Sequence, residues 1–177
     1  MYWAYSYLPL ENIDMRPSRD AQRDHITIRA ARAGDLPHIV KLYAQLFSNT
    51  DQAAENGTRV RSSHYDAFAE IEKSETSFLL VAEAAEAVVG TLAITIVPNV
   101  SHCGKKWAVI ENVVVDKQAR KSRIGSVMMR HALALARARG CFRVVLSSSI
   151  EREGSHKFYR TLGFDVFGYS FTRFLST

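Results

Sequence analysis

Cysteine is scarce. The 177-residue chain has two, Cys103 and Cys141, with no C-x-x-C spacing, which argues against a disulfide scaffold and fits an intracellular, cytoplasmic protein. Long apolar runs are missing too. The opening MYWAYSYLPL is about half a membrane span long and lacks the cationic start of a signal peptide, so neither membrane insertion nor export is expected. The histidines (His25, His38, His64, His102, His131 and His156) show no ligand spacing, and no metal site is expected. There is no G-x-S-x-G, no G-x-x-x-x-G-K-[ST] and no dinucleotide fingerprint, which weighs against hydrolase, NTPase and Rossmann readings.

What is present is an ordinary globular composition, 47% hydrophobic and 23% charged, enough to bury the core of one domain. Lys and Arg total 23 against 18 acidic residues, a net charge of +5 that favours an anionic partner, phosphate first. Residues 1–24 show neither helical nor strand period and read as an N-terminal arm; the patterned domain is 25–177.

Along that domain, Ile26 and Ile28 alternate as on a half-buried strand, and Asp35 is placed to cap a helix to about Phe47, with Pro37 in its first turn. A polar loop, SNTDQAAENGT, precedes a second helix over about 61–73. Residues 78–81 and 88–97 predict an antiparallel hairpin turning at about 84–86, and 107–115 a long apolar strand with Glu111 inside it. A basic loop, a helix from Ile124 to Arg139 stopped by Gly140, a strand over 142–146, a short helix stopped at Gly163 and a last aromatic strand over 166–175 complete the pattern. This order predicts a mixed α/β sheet with flanking helices.

The segment VVVDKQARKSRIGSVMM is the most informative. A basic loop feeding a helix N-terminus aims unpaired N–H groups and the positive end of the helix dipole at one point, an arrangement suited to pyrophosphate. Gly125 permits close backbone approach. Between residues 116 and 143 stand eight Lys or Arg against one acid, Asp116. A solvated helix face and a nucleic-acid surface are the alternatives, the latter weakened because the aromatics do not interleave with the basic stretch.

Arg120-Lys121-Ser122-Arg123-Ile124-Gly125 resembles the Q/R-x-x-G-x-G/A loop of the GNAT superfamily of N-acetyltransferases at its first and last positions, with Arg123 where the family has its middle glycine. Ile110 to Val115 looks like that family's fourth strand, Gly140 to Leu146 like its fifth, and Phe158-Tyr159-Arg160-Thr161-Leu162-Gly163-Phe164 matches its closing F-Y-x-x-x-G-F. The resemblance runs from about Ile26 to Leu175 and implies a GNAT-like α/β fold: a mostly antiparallel central sheet, splayed between strands four and five to admit acetyl-CoA. It implies pyrophosphate contacts from Arg120, Lys121, Ser122, Arg123, Ile124, Gly125 and Ser126. It also implies backbone contacts from Val113, Val114 and Val115 to the pantetheine arm and the reacting carbonyl. Ser149 stands where many relatives have an asparagine facing the cofactor arm.

Acetyl transfer from a thioester to an amine needs a neutral amine, stabilisation of the oxyanion and a proton for the departing thiolate. Glu111, flanked by apolar strand residues, is the candidate base, directly or through water, with desolvation expected to raise its pKa. Pairing with Lys105 or Arg143 is its bland alternative. Tyr159 resembles the family's general acid. His64 and Tyr65 lie where the family often builds one acceptor wall, although a surface pair is the simpler reading. Cys103 beside His102 has no orienting third group for nucleophilic catalysis. Cys141 reads as a small buried hydrophobe and His131 as a packed or surface residue.

The expected function is acetyl-CoA-dependent transfer to the primary amine of a small molecule in a ternary complex. Strands four and five and the C-terminal segment look like the aminoalkylphosphonate and glucosamine-6-phosphate acetyltransferases, so anionic amines are among the candidate acceptors. Neither nucleic acid nor membrane is an expected partner, and the family's common homodimer is left open. A non-catalytic acyl-CoA or phosphate-ligand module on the same fold is the alternative that Arg123 favours.

Overall fold

The computed structural model describes residues 25–47 and 59–175. The arm 1–24 and the loop 48–58 lie outside the described residues. The chain runs through β1 (Thr27–Ala30), a 3-10 turn (Ala33–Asp35), α1 (Leu36–Phe47), α2 (Ser62–Lys73), β2 (Ser77–Ala84) and β3 (Ala87–Val97). A short turn at Ser101–Gly104 precedes β4 (Lys106–Val115), then a 3-10 turn (Lys117–Ala119), α3 (Ile124–Ala138), β5 (Cys141–Leu146) and α4 (Glu153–Thr161). The five strands lie side by side in chain order, antiparallel from β1 to β4 and parallel between β4 and β5. No helix among the described residues is long and apolar enough to cross a membrane.

Strand periodicity divides the core into two layers, because successive side chains leave opposite faces of a strand. From β2, Leu80 and Ala82 join Leu92, Ile94 and Ile110 under α3, which contributes Ile124, Met128, Met129, Ala132 and Leu135. Leu79 and Val81 point the other way and pack with Leu36, Ile39 and Phe68 of α1 and α2. The β2–β3 turn has two residues, Ala85 at φ 47° and Glu86 at φ 64°, so both central positions are left-handed, as a hairpin turn matched to strand twist requires.

Two expectations are corrected. Asp35 does not stand outside α1 as its cap: it ends a 3-10 turn that runs straight into the helix, and its Oδ2 accepts the Arg32 N–H at 2.7 Å. Arg29 donates to both Asp35 oxygens, at 2.7 and 3.0 Å, and to Glu83 at 2.8 Å. The hydrogen-bonded guanidinium holds the Asp35 carboxyl below its ordinary range. Residues 166–175 form no strand, and Phe167, Tyr169 and Phe171 are at least 93% exposed. Their alternation suits a strand, but alternation only sorts side chains by face and supplies no backbone partner, and this segment makes no ladder with the open outer edge of β5.

Candidate active site

The site begins at an irregularity in β4. Thr91 pairs with Val114 and Ala93 with Glu111, so two steps on β3 face three on β4. The extra residue is absorbed as a bulge, with Asn112 at φ 53°. Glu111 and Asn112 are consequently both exposed, so the apolar flanks that predicted a desolvated Glu111 do not bury it. Arg143, the cation considered as its partner, lies instead over the rings of Trp107 (4.9 Å) and Phe142 (5.3 Å).

Past the bulge, β4 loses one neighbour. The parallel ladder ends at Ile110 opposite Leu146, where β5 stops, while β4 continues through Val113, Val114 and Val115. The β4 backbone from Glu111 onward therefore has its ladder with β3 on one side and no β5 partner on the other. Val114 is buried, Val113 and Val115 partly so.

Beyond Val115 the chain turns sharply. Asp116 caps the 3-10 turn by accepting the Gln118 N–H at 2.8 Å, Arg120 Nε donates to the Val115 carbonyl at 3.2 Å, and the Ser122 hydroxyl donates to the Ala119 carbonyl. Lys121 (φ 67°) and Arg123 (φ 68°) are both left-handed. Arg123 is the N-cap of α3 and makes no side-chain cap, so the N–H groups of Ile124, Gly125 and Ser126 open the helix without a capping side chain. Arg120, Lys121, Ser122 and Arg123 are exposed around that opening. A β-carbon at Gly125 would stand 3.3 Å from Cζ of Phe158, which seats α4 on the start of α3.

That seating positions Tyr159, the next residue on α4. Its ring packs with Phe158 and Phe164 at 5.3 and 6.0 Å, and burial raises its phenol's pKa, opposed in part by Arg152. Arg152 also donates to the Leu46 carbonyl at 2.6 Å, tying α4 to the end of α1. Gln45 ties the same end of α1 to the basic loop, donating to Asp116 Oδ2 at 2.9 Å and accepting the Lys117 N–H at 3.0 Å. Ser149 is exposed ahead of α4; its carbonyl accepts from Arg152 N–H (3.0 Å) and His156 Nε2 (2.8 Å).

Sequence reasoning missed Tyr43. It falls at helical spacing on α1 and reads as core, yet its phenol meets Thr91 and lies near enough to Glu111 to feel the carboxylate's charge. Burial first, then that charge, pushes it up to about 12. Asn112 was also unmarked, because a bulge leaves no signature in an apolar run. Elsewhere, Cys103 is exposed, Cys141 is partly buried with its thiol raised by burial, and burial lowers His131. No group of three His, Cys, Asp or Glu suited to a metal occurs among the described residues.

The Acetyltransferase (GNAT) family model matches residues 39–164. A glucosamine 6-phosphate N-acetyltransferase of Trypanosoma brucei brucei is 35% identical over 77 residues, which take in 44% of this chain and 50% of that protein. The chain thus matches about half the length of that curated relative. Among solved structures, a transcriptional regulator from Bacillus halodurans C-125 superposes with a TM-score of 0.77 at 30% identity, covering 85% of this chain and 100% of the other. A glucosamine-6-phosphate N-acetyltransferase from Arabidopsis thaliana gives a TM-score of 0.71 at 22% identity, over 85% of this chain and 99% of that one, a likeness of fold.

Proposed function

The chain belongs to the GNAT family of acetyltransferases, and on that premise we propose that it transfers the acetyl group of acetyl-CoA to the primary amine of a small molecule, directly and within a ternary complex. The observation that carries the reading is the open β5-side edge of β4, leading from Glu111 to the open first turn of α3. One strip of main chain there offers N–H and C=O groups to an extended amide-bearing arm, then helix N–H groups and four exposed polar or basic side chains to a pyrophosphate. Val113, Val114 and Val115 supply the first set. Arg120, Lys121, Ser122, Arg123, Ile124, Gly125 and Ser126 supply the second, and Ser149 lines the approach beyond β5.

Glu111, solvated at the bulge, takes the proton of the acceptor ammonium through water, so that the free amine attacks the thioester carbonyl. Backbone N–H groups beside Val113 and Val114 stabilise the oxygen as it gains charge. As the C–N bond forms and the C–S bond breaks, Tyr159 gives its proton to the departing thiolate, and the second proton that the nitrogen sheds on becoming an amide passes through water to restore the phenol. A phenol kept protonated by burial is suited to that donation.

Titration calorimetry with acetyl-CoA, followed by turnover assays with an amine panel, tests the reading. One-to-one binding is expected, with Glu111→Gln lowering kcat by about a hundredfold or more and cofactor affinity little changed. Absence of acetyl-CoA binding would end it. The exposure of Glu111 and the arginine at position 123 favour a second reading, an acyl-CoA-binding module without turnover; binding combined with silence across the panel would select it.

A further inference from the structure

Between α1 and α2, above the β3–β4 bulge, lies an open cavity of about 220 Å³. Its walls include Ile39, Tyr43, Phe68, Ile71 and Leu79, with Asn112 at the bulge. No Lys, Arg, Asp or Glu lines it among the described residues. Its polar wall residues are Tyr43, Ser63, His64 and Asn112, of which Tyr43 and His64 are engaged within the fold. The Thr91 hydroxyl donates to the Leu80 carbonyl at 2.8 Å and is also hydrogen-bonded with the Tyr43 phenol. His64 Nδ1 accepts the Arg61 N–H at 2.9 Å, which in the neutral ring puts the proton on Nε2. Tyr43, part of this wall, is also the side chain that senses Glu111, so the cavity lies alongside the proposed base.

We propose that this cavity receives the acceptor's substituent, and that the acceptor is a primary amine carrying an uncharged apolar group, aryl-alkyl or branched alkyl. The assignment rests on the transferase reading for its chemistry and on the cavity alone for its selectivity. Size agrees: an apolar cavity of about 150 Å³ holds benzene, so one ring with a short linker fits here. Electrostatics agree as well. An ammonium group is drawn toward Glu111, whereas a phosphate placed in this cavity exchanges its hydration for Ser63, His64 and Asn112 alone, with no lysine or arginine on the wall among the described residues, and beside a carboxylate of like charge. The phosphorylated amino sugar in the names of two relatives is therefore a poor fit to these walls.

The test compares kcat/KM, at saturating acetyl-CoA, for 2-phenylethylamine and isoamylamine against glucosamine 6-phosphate and 2-aminoethylphosphonate, in the wild type and in Ala67→Phe. Ala67 is an exposed residue on the cavity lining, so a phenyl group there fills the space without entering the core. The apolar amines are expected to lead by about a hundredfold, and Ala67→Phe to raise their KM about tenfold or more with acetyl-CoA affinity unchanged. A lead for the phosphorylated amines, or apolar-amine KM values untouched by Ala67→Phe, overturns the pocket and leaves the transferase standing. If acetyl-CoA binds but no amine is acetylated, calorimetry with 2-phenylethylamine decides: binding abolished by Ala67→Phe retains the pocket without the transferase, and no binding removes it.

Discussion

Arg123 sits at φ 68° and ψ −4°, where a β-carbon crowds the following carbonyl. Lys121 repeats the conformation two residues earlier. Glycine would adopt it freely, so Arg123→Gly should stabilise the fold by about 1 kcal/mol, read as a higher urea midpoint at unchanged m-value. If the guanidinium contacts the pyrophosphate, the same variant binds acetyl-CoA more weakly; equal or tighter binding shows that the backbone alone makes the contact. The loop's basic residues were legible from sequence because their chemistry is stated by residue type. Tyr43 was not, because what distinguishes it from a core tyrosine is its neighbours Thr91 and Glu111 on two other elements.

Elements were legible where their pattern is complete within themselves. The helices over 36–47, 62–73 and 124–138 announce themselves by apolar spacing, and Gly140, at φ 76°, ends the last of them as expected. The hairpin was equally plain, although its left-handed turn is made by Ala85 and Glu86 in place of the usual glycine or asparagine. The strand expected over 166–175 did not form although the outer edge of β5 is open, because alternation sorts side chains by face and carries no backbone pairing of its own. The β4 bulge escaped for a related reason: register belongs to two strands. At this scale Gly90 has a specific duty. A β-carbon there would meet Sδ of buried Met128 at 2.7 Å and the Val114 carbonyl at 3.1 Å, pressing β3 against both α3 and β4. Gly90→Ala should cost about 1–3 kcal/mol in urea unfolding, despite alanine's lower backbone entropy cost. A neutral result would show that Met128 yields easily.

Over the whole molecule, the sheet separates two jobs. The α3 face carries the larger core and the basic loop, while the α1–α2 face carries the cavity, and β4 lies between them with Glu111 at its bulge. The end of α1 joins the two through Gln45 and Leu46. Of the sheet order only the β2–β3 neighbourhood was legible from a short connection; β1 reaches β2 through α1 and α2, and β4 reaches β5 through α3, so those pairings are not written in the connections. The outer side of β5 is different, since it is bare among the described residues while Phe167, Tyr169, Phe171 and Phe174 lie exposed on the chain that follows. Uncovered strand edges and aromatic rows are the features from which association starts. The weight-average mass in light scattering should therefore rise with protein concentration, and Phe171→Lys should flatten that rise; a mass independent of concentration in both proteins would refute it. In practical terms, dilution and storage history become experimental variables: a rate measured on a freshly thawed concentrate and one measured after equilibration at assay strength need not describe the same species.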